Sequence, residues 1–373
     1  MAGSTFGNLF TVTTWGESHG PAVGCVVDGC PAGLALSEAD VQAFLDLRRP
    51  GGGGLATARK EADQVRILSG VFEGKTTGTP ISMIVENTSH RSKDYSELAE
   101  VYRPGHADLT FDVKYGFRDY NGGGRSSARE TIGRVAAGAV AMKLLAELGI
   151  TVEARVTRLG GVDVPAASSD GSAPEISAEM IPGFDPADSY GGVIECVARG
   201  LPAGLGEPVF DKLDAEIAKA VMSIGAVKGV EIGDGFRAAD AKGSENNDGF
   251  APADASAEKA GAAEVARAVT ETPLGAKITK TSNHAGGTLG GISDGSELIV
   301  RAAFKPTPSI GLPQQTVTRA GEAAEITVGG RHDTAVVKRA PVIVRSMVAL
   351  VLADLLLRNM SAKLDYLRKV YEE

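Results

Sequence analysis

The sequence predicts a mixed helix–strand fold, and three observations carry that expectation. Long helical patterns alternate along the chain with short apolar or alternating runs bounded by glycine or proline. Glycine supplies 48 of the 373 residues, well above the average of about 7%, which points to many tight turns and to backbone that comes close to a ligand. No self-similarity at a period of roughly 20–50 residues is visible, which disfavours a solenoid.

Taken in order, Ala22–Val27 reads as a strand, and Ser37 to Pro50 as a helix opened by an N-cap serine and stopped by proline. Ile81–Glu86 alternates as a strand. Ser127 to Leu148 is expected to be helical, with Ser127-Ala-Arg-Glu130 as a capping box and Gly149 as its C-terminal glycine. Its stripe is Ile132, Val135, Ala139, Val140, Leu144 and Leu148. Val193–Ala198 is a further strand. Glu207 to Ser223 reads as a third helix with Phe210, Leu213, Ile217 and Val221 on one face. Ala166–Pro174 reads as a small loop. Residues 238–276, rich in Ala, Asp, Glu, Lys and Gly, read as a flexible surface insertion within a single domain spanning 1–373. Leu298–Ala303 and Ala335–Val337 are expected strands, and Val342 to Met360 an apolar core helix opened by Pro341.

Composition closes off several function classes. The hydrophobic fraction is 43% with 23% charged, enough apolar material to exclude intrinsic disorder. The glycines lack a three-residue period, so a collagen is excluded. A net charge of −9 leaves no global footprint for nucleic acid, so any anion must be drawn by local arginines. Cys25, Cys30 and Cys196 are odd in number and include no CxxC pair, against both a disulfide framework and a zinc ribbon. The N-terminus shows no signal-peptide pattern, and Val342–Leu357 carries Arg345 and Asp354 and falls short of a bilayer span. The expectation is a soluble, cytoplasmic protein without a metal site.

The five histidines are few enough to inform. His19, His106, His284 and His332 sit beside glycine or charge in loop-like segments, while His90 reads as solvated. Near neutral pH histidine is the readiest proton donor, although each of these taken alone is more often a structural or surface residue than a catalyst. Tyr120-Asn-Gly-Gly-Gly-Arg-Ser-Ser-Ala-Arg-Glu130 brings an arginine and two hydroxyls to a helix N-terminus, a setting for an anion. The plain alternative there is a glycine turn, a cap and a Glu130–Arg134 pair. Arg48-Arg49 at a helix end fits dipole complementation. Lys305-Pro-Thr-Pro-Ser309 suits a ligand or a stiff turn, and Arg331 and Asp333 lie on one side of an extended segment.

Together these segments are far more specific than any one. Gly16-Glu-Ser-His-Gly20, Arg103-Pro-Gly-His-Ala-Asp108, Gly122-Gly-Gly-Arg-Ser-Ser-Ala-Arg-Glu130, Ser282-Asn-His-Ala-Gly-Gly287 and Gly330-Arg-His-Asp333 occur in the order found in the chorismate synthase family. Leu201-Pro-Ala-Gly-Leu-Gly-Glu-Pro208 and Val227–Phe236 extend the resemblance across residues 6 to 358. It implies an α+β fold, a β-α-β sandwich with helices packed between antiparallel sheets, assembled as a homotetramer. It also implies a 1,4-anti elimination of phosphate from 5-enolpyruvylshikimate 3-phosphate with reduced FMN. NADPH enters indirectly, through an external flavin reductase.

By the same resemblance, His19 protonates or holds the departing phosphate, His106 gives a proton to reduced flavin, and Asp333 assists removal of the ring proton. Flavin contacts are implied for Arg125, Ser126, Ser127, Gly225, Ala226, Gly290, Lys305, Pro306, Thr307, Pro308, Ser309 and Arg331. Substrate or NADP contacts are implied for Arg48, Arg49, Arg129, Arg134 and Arg339. Such an arginine load suits a substrate with two carboxylates and a phosphate. Three departures stand out, one of them an Ala/Glu-rich segment before Thr281 that is longer than in relatives. Gly51–Gly54 occupies positions where the family usually carries another basic residue, and Thr334 stands where many members have proline. A flavin carrier without turnover, or an enzyme reducing its own flavin, are the competing readings. The first would require loss of a proton-transfer residue and the second an added nicotinamide domain.

Overall fold

Two five-stranded antiparallel sheets, held together through helices, organise the chain. The computed structural model describes residues 3–49, 55, 63–87, 97–166, 174–253, 269–328 and 333–372. The first sheet runs Thr5–Phe6, Thr11–Gly16, Ala22–Asp28, Ile81–Glu86, Val65–Ile67 in spatial order. The second runs Val227–Ile232, Leu298–Phe304, Gly192–Arg199, Thr151–Leu159, Val162–Asp163. Alternation explains the inner faces: Ile81, Met83 and Val85 are buried while the residues between them are not.

The helices are α1 (Glu38–Arg48), α2 (Asp108–Tyr115), α3 (Thr131–Glu147), α4 (Leu213–Met222), the one-turn α5 (Gly243–Asn246), α6 (Pro341–Asn359) and α7 (Leu364–Tyr371). The predicted start of α1 holds: Ser37 and Asp40 form a reciprocal capping box. Helix α3 packs on the first sheet, α6 packs on the second, and the two helices run against each other. Small residues permit that approach. A Cβ on Gly133 would meet the Gly24 carbonyl at 2.8 Å, and one on Gly138 would meet the Ser346 Cβ at 2.3 Å. Helix α6 is apolar on every face because neighbours cover every face. Its one buried acid, Asp354, accepts the backbone N–H groups of Asn8, Leu9 and Phe10. Gly138→Ala gains helix propensity of up to about 1 kcal/mol, but the overlap with Ser346 should outweigh it and leave a net loss of about 1–3 kcal/mol. Denaturant unfolding measures this, and an unchanged midpoint would show that the two helices can part at no cost.

Several expectations are corrected. Helix α3 begins at Thr131, after a 3-10 turn over Ala128–Glu130. The Ser127 hydroxyl caps that turn by accepting the Arg129 N–H, and the Glu130 carboxylate leaves the cap for Thr14 and Arg134, so the predicted capping box does not form. Helix α4 starts only at Leu213. Residues Glu207 and Asp211 close a turn with reciprocal N–H···O bonds, and Phe210 at its tip is 90% exposed rather than on the helix's apolar face. Ala335–Val337 is not a strand, since Val336–Lys338 is a 3-10 turn leading into α6. Helices α2 and α7 escaped the sequence reading. The described parts of 238–276, where no element was read from the sequence, hold α5 and the strands Phe250–Pro252 and Val269–Glu271, which flank Lys277–Lys280. Residues 254–268, and most of the loop at 166–174, lie outside the described residues.

Candidate active site

One arm of the site is built on the Arg103–Asp108 loop. Arg103 grips Asp108 through two side-chain bonds of 2.7 and 2.8 Å and a backbone N–H, which folds the loop over the N-terminus of α2. Burial works against the Asp108 charge, but the Arg103 bonds prevail and hold its carboxyl below the usual range. Within the loop, His106 Nδ1 lies 3.1 Å from the Pro104 carbonyl and Nε2 lies 2.9 Å from Ser309 Oγ. A carbonyl only accepts, so Nδ1 carries the proton and Nε2 accepts from the serine hydroxyl. Burial first, and the Arg103 cation second, push the imidazole down to about 4. At neutral pH this histidine is therefore uncharged, and before Nε2 can donate a proton it must take one up.

The Lys305–Ser309 loop closes over the same place. Lys305 Nζ bonds the Gly105 carbonyl at 2.8 Å, and the Lys305 N–H bonds the Ala226 carbonyl at 2.9 Å. Gly105 adopts φ +69°, and a Cβ there would strike Pro308 at 2.9 Å. Ala226 itself is a non-glycine residue at φ +74°. The Thr307 hydroxyl is buried without a hydrogen-bond partner among the described residues. Gly225 presents open space.

A second arm holds His19. The Ser18 hydroxyl donates to the Gly122 carbonyl at 3.2 Å, which makes His19 Nδ1, 2.9 Å from Ser18 Oγ, the donor toward that hydroxyl. Gly122, at φ +67°, lies so close that a Cβ would sit 2.2 Å from the imidazole. The neighbouring Gly123 places its missing Cβ 3.7 Å from Arg103 Nη2, so the glycine turn spans the two arms. Arg125 does not stand open at this turn: it folds down onto the Thr14 hydroxyl and carbonyl and the Gly16 carbonyl, 2.7 to 3.3 Å away. Ser126 Oγ bonds Gly123 O at 2.7 Å.

The third part is an arginine cluster. Arg48, on the last turn of α1, is buried and reaches Thr131 Oγ1 at 2.9 Å, Ala128 O at 3.0 Å and Asp63 at 3.2 Å. Arg129 meets the other oxygen of Asp63 at 3.0 Å and Asn87 Oδ1 at 2.6 Å. Asn87 in turn holds the carbonyls of Glu17 and Gly20, which ties the cluster to the loop carrying His19. Arg339 is ion-paired to the buried Asp333. Burial, with Arg339 and Arg129 adding to it, brings Arg48 down to about 10 against the opposing pull of Asp63 and Asp333.

Not every expected residue joins. Arg49 turns back on Asp46 at 3.0 Å. Arg134 pairs with Glu130 and reaches Ser223 Oγ at 2.6 Å, beside the start of the Gly225–Ala226 turn. Gly290 lies in a separate hairpin whose Gly291 carbonyl bonds Leu213. His284 is tied to Asp234 at 2.7 Å, in a different group of charges. Gly51–Gly54, His90, Arg331 and His332 lie outside the described residues. Sequence reasoning passed over Asp63, Asn87 and Arg103. Only Arg103 gave a signal, sitting five residues before Asp108 inside a quoted motif. The cysteines play no part: burial raises Cys25 and Cys196 to about 12 and Cys30 to about 11. Among the described residues no cluster of His, Cys, Asp or Glu could hold a metal ion. No described helix is long and apolar enough to cross a membrane.

Buried arginines paired to two carboxylates, beside loop histidines on an α+β scaffold, define a protein equipped to handle a polyanionic small molecule. The chorismate synthase family profile matches residues 10–357. A chorismate synthase of Lachnoclostridium phytofermentans is 54% identical over the whole of both chains. One from Maridesulfovibrio salexigens is 53% identical over 96% of this chain and 98% of its own. A crystal structure of chorismate synthase superposes with a TM-score of 0.68 at 30% identity, covering 98% of this chain and 97% of the other. The chain belongs to the chorismate synthase family, and so to the carbon–oxygen lyases.

Proposed function

We propose that this chain converts 5-enolpyruvylshikimate 3-phosphate to chorismate, the step of aromatic biosynthesis in which phosphate and a ring proton leave in a 1,4-anti elimination. The C–O bond to phosphate and one ring C–H bond break, a new C=C bond forms, and no net oxidation occurs. The observation that carries this reading is the convergence of Arg48, Arg129 and Arg339 with the His19 loop through Asp63 and Asn87. Guanidinium groups suit a phosphate and two carboxylates.

The residues present fit a flavin. The Thr307 hydroxyl, without a partner among the described residues, the open face of Gly225 and the left-handed backbone of Ala226 frame one side of the His106 loop. Lys305–Ser309, Gly225, Ala226 and His106 would hold FMN, with Ser126 and Ser127 from the glycine turn, and the family's set also includes Arg331. Reduced flavin, when bound, lends electron density to the breaking C–O bond. The chain's own part is positional and protonic. His19, with Nδ1 donating to Ser18, holds the departing phosphate through a proton carried on Nε2. His106 takes a proton at Nε2 when an anion settles beside it, which raises its affinity for protons, and then holds or releases that proton there. Asp333, buried against Arg339, assists removal of the ring proton.

In this reading the packing of α3 and α6 between the two sheets is the β-α-β sandwich of the family. The chain is one catalytic domain, acts in the cytoplasm as a homotetramer, and receives electrons from an external flavin reductase that draws on NADPH. Chorismate should form with chemically reduced FMN under anaerobic conditions. In air, NADPH and FMN alone should give none until a flavin reductase is added. Product from NADPH and FMN alone would overturn the external reductant, and product with oxidised FMN would overturn the flavin's role.

A further inference from the structure

We infer that Asp63 is a positioning residue whose single carboxylate sets Arg48 and Arg129 as a matched pair for one anionic group of the substrate. Its two oxygens are divided between them: Oδ2 takes Arg48 at 3.2 Å and Oδ1 takes Arg129 at 3.0 Å. The side chain is only 3% exposed. The two arginines come from different elements that pack side by side. Arg48 comes from the end of α1, and Arg129 from the turn before α3. A carboxylate between like charges offsets their repulsion, and here it hydrogen-bonds Arg48 and sits at ion-pair distance from Arg129.

The backbone at Asp63 is built for this task. It holds φ +43°, a left-handed conformation that non-glycine residues rarely keep unless their surroundings impose it. Gln42 of α1 imposes it here: its amide donates to the Asp63 carbonyl at 3.3 Å and its oxygen accepts the Val65 N–H at 3.0 Å. One helix therefore clamps the Asp63 backbone through Gln42 and meets its carboxylate through Arg48. The remaining anchors, Thr131 and Ala128 on Arg48 and Asn87 on Arg129, hold the two stems while Asp63 holds the heads. Among the described residues, the three cations Arg48, Arg129 and Arg339 face the two carboxylates Asp63 and Asp333.

This inference rests on the functional reading above, and its test separates the two. In D63N one acceptor oxygen becomes an N–H donor that faces a guanidinium N–H, so one arginine must swing away. The KM for 5-enolpyruvylshikimate 3-phosphate should rise roughly 10- to 100-fold, the scale of one hydrogen bond to a charged group, while kcat stays within about threefold. Asp63→Glu, which keeps the carboxylate, should give a KM between the two. A role in folding alone would lower the melting temperature and the active fraction and leave KM where it was. An unchanged KM in folded D63N overturns the inference. So does a lower one, which would mean that Asp63 merely repels the substrate. Should D63N fail to fold, a wild-type KM in Asp63→Glu overturns it equally. If the wild-type chain forms no chorismate, the functional reading fails by itself. Calorimetry with inorganic phosphate then decides the pairing: weaker binding by D63N supports it and equal or tighter binding overturns it.

Discussion

Replacing Arg48 with methionine should loosen the fold and disable the site together. The side chain is buried, and each nitrogen of its guanidinium has a partner in Thr131, Ala128 or Asp63. Methionine keeps the stem but removes the donor to the Thr131 hydroxyl oxygen and one of the donors to the Ala128 carbonyl, which still accepts the Thr131 hydroxyl. Breaking a buried pair typically costs about 3–5 kcal/mol, and the low end applies because Arg129 still neutralises Asp63. The loss of one cation at a phosphate or carboxylate should raise the substrate KM by roughly 10²-fold. Urea unfolding and steady-state kinetics on the same preparation separate the two effects. A stability loss with an unaltered KM would place Arg48 in the scaffold and outside the binding surface.

Alanine at His106 should lower turnover by roughly 10²-fold or more, the usual scale for a positioned acid–base group, and His19→Ala should do the same. Near-wild-type turnover in either variant would remove that residue from the chemistry. His106 also leaves a mark on stability. Its native pKa of about 4 lies below the 6.5 of an unperturbed histidine. Between those values the unfolded chain binds a proton that the native chain does not, so stability is full above about pH 6.5 and falls as pH drops toward 4. The melting temperature of the wild type should therefore fall more steeply across that window than that of His106→Asn. Parallel curves would mean that the ring is not held neutral.

Much of this was legible in the chain because local rules and tertiary packing agreed. Ser37 caps α1 as expected, with Asp40 completing a box that was not foreseen, and the Ile81–Glu86 alternation became one buried face. The glycines marked real constraints: Gly122 and Gly105 have positive φ and touch His19 and Pro308. What could not be read was settled by distant partners. Glu130 satisfied every local requirement of a capping box, yet Thr14, more than a hundred residues away, claimed its carboxylate. Arg125 looked like an open anion receptor until the Thr11–Gly16 strand supplied carbonyls for it. Phe210 fitted a helical stripe, but the Glu207–Asp211 turn precedes α4 and puts the ring in solvent. Asp63 and Asn87 carried no motif, because their importance lies in which arginines the fold brings to them.

The central claim is that these loops form one site in which phosphate departs as the ring diene forms. The most direct test is an anaerobic assay with dithionite-reduced FMN and 5-enolpyruvylshikimate 3-phosphate, following chorismate absorbance and inorganic phosphate in the same sample. Equal amounts of both, and neither with oxidised FMN, is the expected result. Phosphate without chorismate, or tight FMN binding with neither product, would contradict it.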